Sequence, residues 1–373
     1  MRLLIDLLHI QFSFNTGTTN TSINTVKGFV RYSNMDVVLL VWENQEGFID
    51  ELVGFDLPKI IIPSRLKKVS RLKRGLCPSL VKEKIDNGGV DVILTACYTA
   101  SSYLYPKKYH QIGVVHDIQQ LKIRLQDKKW FEALYVAANM FVCYRLLGNL
   151  VTISESVKQD VKKVSCGKEA TVIYNSINIC DDDEQEIASV SNKPYILDVN
   201  SFFEYKNTEK LIYAFSAIKN KIPHILYLKG YKGDDVRYWA LMQLVKDEGC
   251  EGRVIIDITH RSSAEMNYLY HHADLFVSPS LMEGFGLTPI EAAMHKAPVI
   301  VSDIDTLVEV TDGLVATFDP RSVASISNAI IRALDNPPSK EKLYHIAERF
   351  RQKYAIENQV RSYMTLIETW RNS

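Results

Sequence analysis

Short apolar, β-branched runs recur through this chain with helical stretches between them, and that alternation restricts the possible folds more than any other feature. In the first half the runs are Leu3–Ile5, Val37–Val41, Lys59–Ile62, Val92–Leu94, Gly113–His116, Leu150–Ile153 and Thr171–Tyr174. Strand, helix and strand repeating in this way predict a parallel sheet with helices on both faces. Residues 181 to 192, acidic and small, interrupt the rhythm with a linker composition. It restarts at Tyr195–Asp198, His224–Lys229, Val254–Asp257, Leu275–Ser278 and Val299–Ser302. An α/β protein of two doubly wound, Rossmann-like domains with a cleft between them is expected, with domains at 1–178 and 193–351 and a linker at 179–192. In the last segment, 352–373, Val360, Tyr363, Met364, Ile367 and Trp370 fall at helical spacing, so this helix must bury a stripe against some surface.

A length of 373 residues suits two separate cores, and 46% apolar with 24% charged residues is the balance of a soluble globular protein. No apolar run is long enough to span a bilayer, and Met1–Asp6 meets an acid too soon for a signal peptide. Cys77, Cys97, Cys143, Cys166, Cys180 and Cys250 show neither metal nor redox spacing, which leads us to expect free thiols in a reducing cytoplasm. Charge is uneven along the chain. Residues 1 to 180 hold 23 Lys and Arg against 16 Asp and Glu, whereas 181 to 373 hold 21 against 28. The first half therefore suits an anionic partner. Its most basic stretch, residues 64 to 76, has Leu66, Val69, Leu72 and Leu76 at helical spacing. It reads either as an amphipathic segment on an anionic membrane or as an ordinary surface helix packed on the N-terminal domain.

Chemistry concentrates after Leu275–Ser278. Glu283-Gly-Phe-Gly-Leu-Thr-Pro-Ile-Glu291 places two carboxylates around a glycine loop and a helix start, with Thr288 expected as N-cap and Pro289 as first helical residue. Amides at such a start favour an anion. Neither a Walker loop nor the nicotinamide fingerprint is present, so a different nucleotide site is implied. Glu291 has a second reading, as the closing member of a Thr288–Glu291 capping box.

These residues, with their continuation through Asp303 and Glu309-Val310, resemble the E-x-F-G-x-x-x-x-E signature of retaining glycosyltransferases of family 4 (glycosyl transferases group 1), mannosyltransferase-like members among them. The resemblance implies the GT-B fold, with the terminal helix crossing back onto the N-terminal domain. It implies that Glu283 contacts donor-sugar hydroxyls, that the loop Gly284, Phe285, Gly286, Leu287 and Thr288 holds sugar and diphosphate, and that Glu291 binds the ribose. Lys206 stands where the family has a diphosphate-binding Lys, with Asn200 in place of a common Gly. Arg261 is a candidate second cation for the phosphates. His116, before Asp117 at a strand end, stands where the family's His reaches the donor sugar. As residues alone, Lys206 equally suits a solvated helix start, and His116 a histidine satisfied in the core. Gly17 is a candidate from the loop after the first strand, although a plain polar loop fits it equally. Ser176 replaces a family Gly near the domain junction. Asp303–Asp305 and Asp181–Asp183 match a D-x-D pattern formally but lack further oxygen ligands, so no metal or other cofactor is expected.

The expected function is transfer of a sugar, with retention, from a GDP-mannose-like or UDP-sugar donor to a glycan or lipid-linked acceptor in cell-surface polysaccharide synthesis. The family mechanism is front-face substitution, the leaving phosphate oxygen taking the acceptor proton. Nucleic acid is not an expected partner. The expected location is cytoplasmic, with possible peripheral attachment at the inner face of the membrane. Two further readings share these residues. One is a sugar-nucleotide epimerase of the same architecture; the other, prompted by Asn200, Ser176 and the single Gly17, is a non-catalytic nucleotide-sugar-binding protein.

Overall fold

The computed structural model describes residues 1–10, 17–68, 77–99, 102–179, 183–230 and 235–371. Packing divides them into two units, 1–178 with 354–373, and 179–353. The first is built on seven parallel strands, β1 (Arg2–Asp6), β2 (Asp36–Trp42), β3 (Lys59–Ile62), β4 (Val92–Thr95), β5 (His110–Val115), β6 (Asn149–Thr152) and β7 (Thr171–Val172), in the order β3-β2-β1-β4-β5-β6-β7. Register is fixed where Leu3 faces both Val37 and Val92. Successive residues of β1, β2 and β4 are buried on alternate faces, because helices cover both sides of the sheet.

The second unit has six parallel strands, β8 (Tyr195–Val199), β9 (Ile225–Lys229), β10 (Val254–Asp257), β11 (Leu275–Ser278), β12 (Val299–Ser302) and β13 (Ala316–Phe318), ordered β10-β9-β8-β11-β12-β13. Two successive runs of alternating strand and helix thus become two doubly wound sheets. Edge strand β13 was absent from the sequence expectation. Of its three residues only Phe318 is buried, so its apolar signal is too weak to read.

One segment differs in detail from expectation. The acidic segment read as a linker lies along the second unit: Ile187 and Val190 are buried, the Gln185 amide donates to the Ala264 carbonyl at 3.1 Å, and Glu184 pairs with His271 and His272. The terminal helix, Ile356–Arg371, buries Val360, Tyr363 and Ile367, the residues whose spacing required a partner. That partner is the helix Gly17–Tyr32 of the first unit, where Phe29 and Tyr363 lie 5.8 Å apart. Gly28 is required by this contact, since a Cβ there would lie 2.6 Å from Ile356 and 2.7 Å from Val360. Buried Ser176 donates to Gln359 Oε1 at 2.9 Å, so its hydroxyl ties the end of residues 1–178 to the terminal helix.

Candidate functional site

The strand order of the second sheet reverses between β8 and β11, the position at which open α/β sheets take ligands beyond their carboxyl ends. The segments leaving these two strands build one site. After β8, Asn200 Oδ1 accepts the Phe202 amide at 2.6 Å while its Nδ2 donates to Asp198 and Thr208. Phe202 and Asn207 adopt left-handed backbone conformations, folding Glu204–Lys206 into a single tight turn. Asn207 Nδ2 donates to the Pro279 and Pro320 carbonyls at 3.0 and 2.8 Å, and the Leu281 amide donates to the Tyr205 carbonyl at 2.7 Å. These bonds hold the β8 and β11 loops together.

Between the loops, Lys206 Nζ meets Glu283 Oε1 at 2.6 Å, and Ser280 Oγ donates to the same oxygen at 2.7 Å. Thr306 fixes the Glu283 backbone by donating to its carbonyl at 3.1 Å. Both charged side chains are mostly enclosed, 18% exposed for Lys206 and 10% for Glu283, so Lys206 is not a solvated surface cation. Beneath the pair lies Asp198, which sequence reasoning passed over. It is 1% exposed, and burial pushes its carboxyl up to about 8, with Glu283 adding to the rise and Lys206 and Asn200 opposing it. Its one available signal was an acid inside the apolar run Tyr195–Val199.

Gly286 supplies the turn that follows. Its φ is +96°, and a Cβ would stand 2.5 Å from Leu307, so both conformation and space require glycine. The helix Leu287–Met294 begins directly after it with Gly286 as N-cap, not at Thr288 as the sequence suggested. Pro289 therefore sits third in the first turn, where its missing N–H costs no intrahelical bond. The capping-box reading of Glu291 fails with this shift, because Thr288 lies inside the helix and makes no side-chain cap. Instead Glu291 Oε2 accepts from the Tyr270 hydroxyl at 2.9 Å, and burial raises its carboxyl while that bond lowers it. Tyr270 stacks on His295 at 5.1 Å, and His295 bonds the Glu291 carbonyl and Asn267. Tyr270 and His295 were not foreseen; nothing in their spacing marks them.

Arg261, offered as a second phosphate cation, is held by Asp257 at 2.8 Å and Glu265 at 2.7 Å, beside a Ser262–Glu265 capping box. Its fork is occupied within this structural network beyond edge strand β10, two strands away from β8. Asp303 and Asp305 are exposed, Asp305 opening the helix Asp305–Val310, and Asp181 and Asp182 lie outside the described residues. Among the described residues no three His, Cys, Asp or Glu side chains gather as a metal-ligating set.

In the first unit, His116 follows β5, and its Nε2 bonds the Ala96 carbonyl at 2.9 Å. Burial lowers its pKa, so the ring is neutral at pH 7, with Nε2–H donating and Nδ1 left as an acceptor. Asp6 and His9 stand at the end of β1, where the first sheet reverses its strand order. Asp6 accepts from the Tyr105 hydroxyl and the Leu8 amide at 2.8 and 2.9 Å, and burial raises it to about 6. His9 bonds Ser22 at 3.0 Å, and its pKa falls to about 3 through burial and the nearby His116. Gly17 opens the helix Gly17–Tyr32, while residues 11–16 before it lie outside the described residues. Of the basic stretch 64–76, Ser64–Lys68 forms a short turn with Leu66 packed against the core, and 69–76 lie outside the described residues.

Residues 181–350 match the family glycosyl transferases group 1. Over 151 residues the chain is 35% identical to O-antigen chain mannosyltransferase B of Escherichia coli, covering 39% of this chain and 38% of that protein. Over 252 residues it is 27% identical to the O-antigen chain mannosyltransferase RfbU of Salmonella typhimurium, covering 66% and 67%. The first match thus spans well under half of that relative's length. Among solved structures, a glycosyltransferase from Rickettsia africae superposes with a TM-score of 0.73 at 16% identity, covering 100% of this chain and 99% of the other. HepE of Anabaena, solved with UDP and glucose, superposes with a TM-score of 0.71 at 14% identity, covering 98% and 99%.

Proposed function

Because residues 181–350 belong to the glycosyl transferases group 1 family and the whole chain has the fold of GT-B glycosyltransferases, we propose that it transfers a sugar, with retention, from a nucleotide-diphosphate donor to a glycan or lipid-linked acceptor in polysaccharide synthesis. The relatives named as O-antigen mannosyltransferases make mannose the first sugar to try and GDP-mannose the first donor. The observation that carries the reading is the Lys206–Glu283 pair at the strand-order reversal, directly before the Gly286 helix start.

In this reading a donor diphosphate takes over Lys206 and lies against the amides of Leu287 and Thr288, where the helix dipole and the cation both favour negative charge. Glu283, released from Lys206 but still fixed by Ser280 and Thr306, accepts from donor-sugar hydroxyls. Glu291, oriented by Tyr270, accepts from the ribose. His116 is assigned to the donor sugar; as a neutral ring with a bonded Nε2–H it offers Nδ1 as an acceptor. During transfer the anomeric carbon to phosphate-oxygen bond breaks, the acceptor oxygen bonds on the same face, and its proton passes to the departing phosphate oxygen. The protein's contribution is position and charge, which requires no protein nucleophile. Lys206 and the amides are the proposed neutralising charge, so the reaction should run without divalent metal.

Incubation with radiolabelled GDP-mannose or UDP-hexose and a lipid-linked glycan acceptor, in EDTA, tests this. Transfer giving a product of unchanged anomeric configuration is expected. An inverted product, or activity lost in EDTA and restored by Mn²⁺, contradicts the mechanism, and an isomerised nucleotide sugar without transfer would make the chain an epimerase.

A further inference from the structure

The helix Trp130–Leu146 is apolar on both sides. Its inner stripe, Ala133, Met140 and Tyr144, is buried in the first unit. Its outer face carries Trp130, Phe131, Leu134, Tyr135, Val142 and Leu146, all at least half exposed, with Phe131 at 92%, Leu134 at 69% and Trp130 at 63%. A helix on a soluble surface is normally polar on that side, and an apolar face this continuous marks a contact surface. The charges at its edge are mainly cationic: the one acid of the helix, Glu132, pairs with Arg124 at 3.3 Å, and Asp127 before it pairs with Lys129 at 3.3 Å. Exposed Lys128 and Lys129 precede the helix, and Arg145 is its one cation; Lys128 and Arg145 have no ion-pair partner among the described residues.

We propose that this face is a docking surface for an anionic lipid bilayer, on which the helix lies in the plane of the headgroups. Aromatic rings and leucines would enter the boundary between headgroups and acyl chains, while Lys128, Lys129 and Arg145 reach phosphates. A second copy of the chain suits the face less well. A two-fold contact sets a patch against itself, and the one acid of this helix, Glu132, is already held by Arg124, which leaves Lys128 and Arg145 unanswered across such a contact. The surface belongs to a different segment of the chain from the basic stretch 64–76. It does not depend on the transfer reaction, although a membrane-docked enzyme would meet a lipid-linked acceptor directly.

The test is co-sedimentation with vesicles of three parts phosphatidylcholine to one part phosphatidylglycerol, against pure phosphatidylcholine, at low and high salt. Wild type is expected to sediment with the anionic vesicles at low salt. The variant Trp130→Ser/Phe131→Ser/Leu134→Ser should lose at least about tenfold in partitioning, and Lys128→Gln/Lys129→Gln/Arg145→Gln should bind about tenfold more weakly with little remaining salt dependence. These side chains are exposed, so melting curves should match wild type; if the triple variant fails to fold, Phe131→Ser alone is used. Binding of GDP or UDP is measured on the same proteins and should be unchanged, which separates this proposal from the assignment of the donor site. Wild type remaining in the supernatant, or an apolar-face variant sedimenting like wild type, overturns the proposal. So does a wild-type dimer in sedimentation velocity that becomes monomeric in the variant and never binds vesicles.

Discussion

Asp198 is an acid surrounded by apolar strand residues, and its position leads to a measurable pH effect. Its folded-state pKa, about 8, lies above the unfolded 3.8, so between those values the folded chain holds a proton that the unfolded chain has released. Stability from this group is therefore full below pH 4 and declines as pH rises towards 8. Asp198→Asn keeps an oxygen to accept from Asn200 and has no proton to lose. Its melting temperature should exceed that of wild type by a few degrees at pH 8, with the gap closing near pH 4. Equal pH dependence in the two proteins would show that Asp198 does not titrate there. For Glu283→Ala, transfer should nearly vanish while the fold survives, because Lys206 keeps some access to water. Lys206→Ala should cost on the order of a few kcal/mol in transition-state stabilisation, or roughly a hundredfold or more in turnover. Unchanged turnover in either folded variant removes that residue from the site. Glu291→Gln still offers an oxygen to Tyr270, so nucleotide affinity should fall in a titration while the melt barely moves.

Elements explain why some of this was readable and some was not. Strands buried on both faces announce themselves as unbroken apolar runs, which is why β8 and β11 could be located without coordinates. A strand whose side chains are mostly exposed, like β13, carries no such signal. Sequence placed Lys206 and Glu283 each after a strand but held nothing to show that residues 77 apart meet at 2.6 Å, since that contact depends on strand order. It also misplaced a helix start: Thr-Pro is a strong N-terminal signal, but the left-handed turn at Gly286 starts the helix earlier. That turn yields the prediction at this scale. Gly286→Ala adds a left-handed penalty of about 1–2 kcal/mol and a side-chain clash with Leu307, so it should lower the melting temperature and weaken nucleotide binding together. A variant with wild-type melting and affinity would show that the turn tolerates a side chain.

At the scale of the molecule, the division of the chain is unequal in continuity. The second unit is one uninterrupted segment, 179–353, whereas the first is assembled from 1–178 and 354–373. Ending the chain at Lys353 would uncover Phe29 and Gly28 and leave Ser176 without Gln359. Calorimetry of such a chain should show the second unit melting nearly as before and the first losing its cooperative transition; an unchanged first transition would mean that the terminal helix contributes little.

The same discontinuity bears on how the protein is made. On the ribosome, the segment that begins the chain must wait for the helix Ile356–Arg371 before its surface at Gly28 and Phe29 can close, while the middle segment has all its residues as soon as Lys353 emerges. The order of completion is therefore the reverse of the order of synthesis. For most of translation, the unfinished apolar surface is one that nascent-chain chaperones are suited to shield.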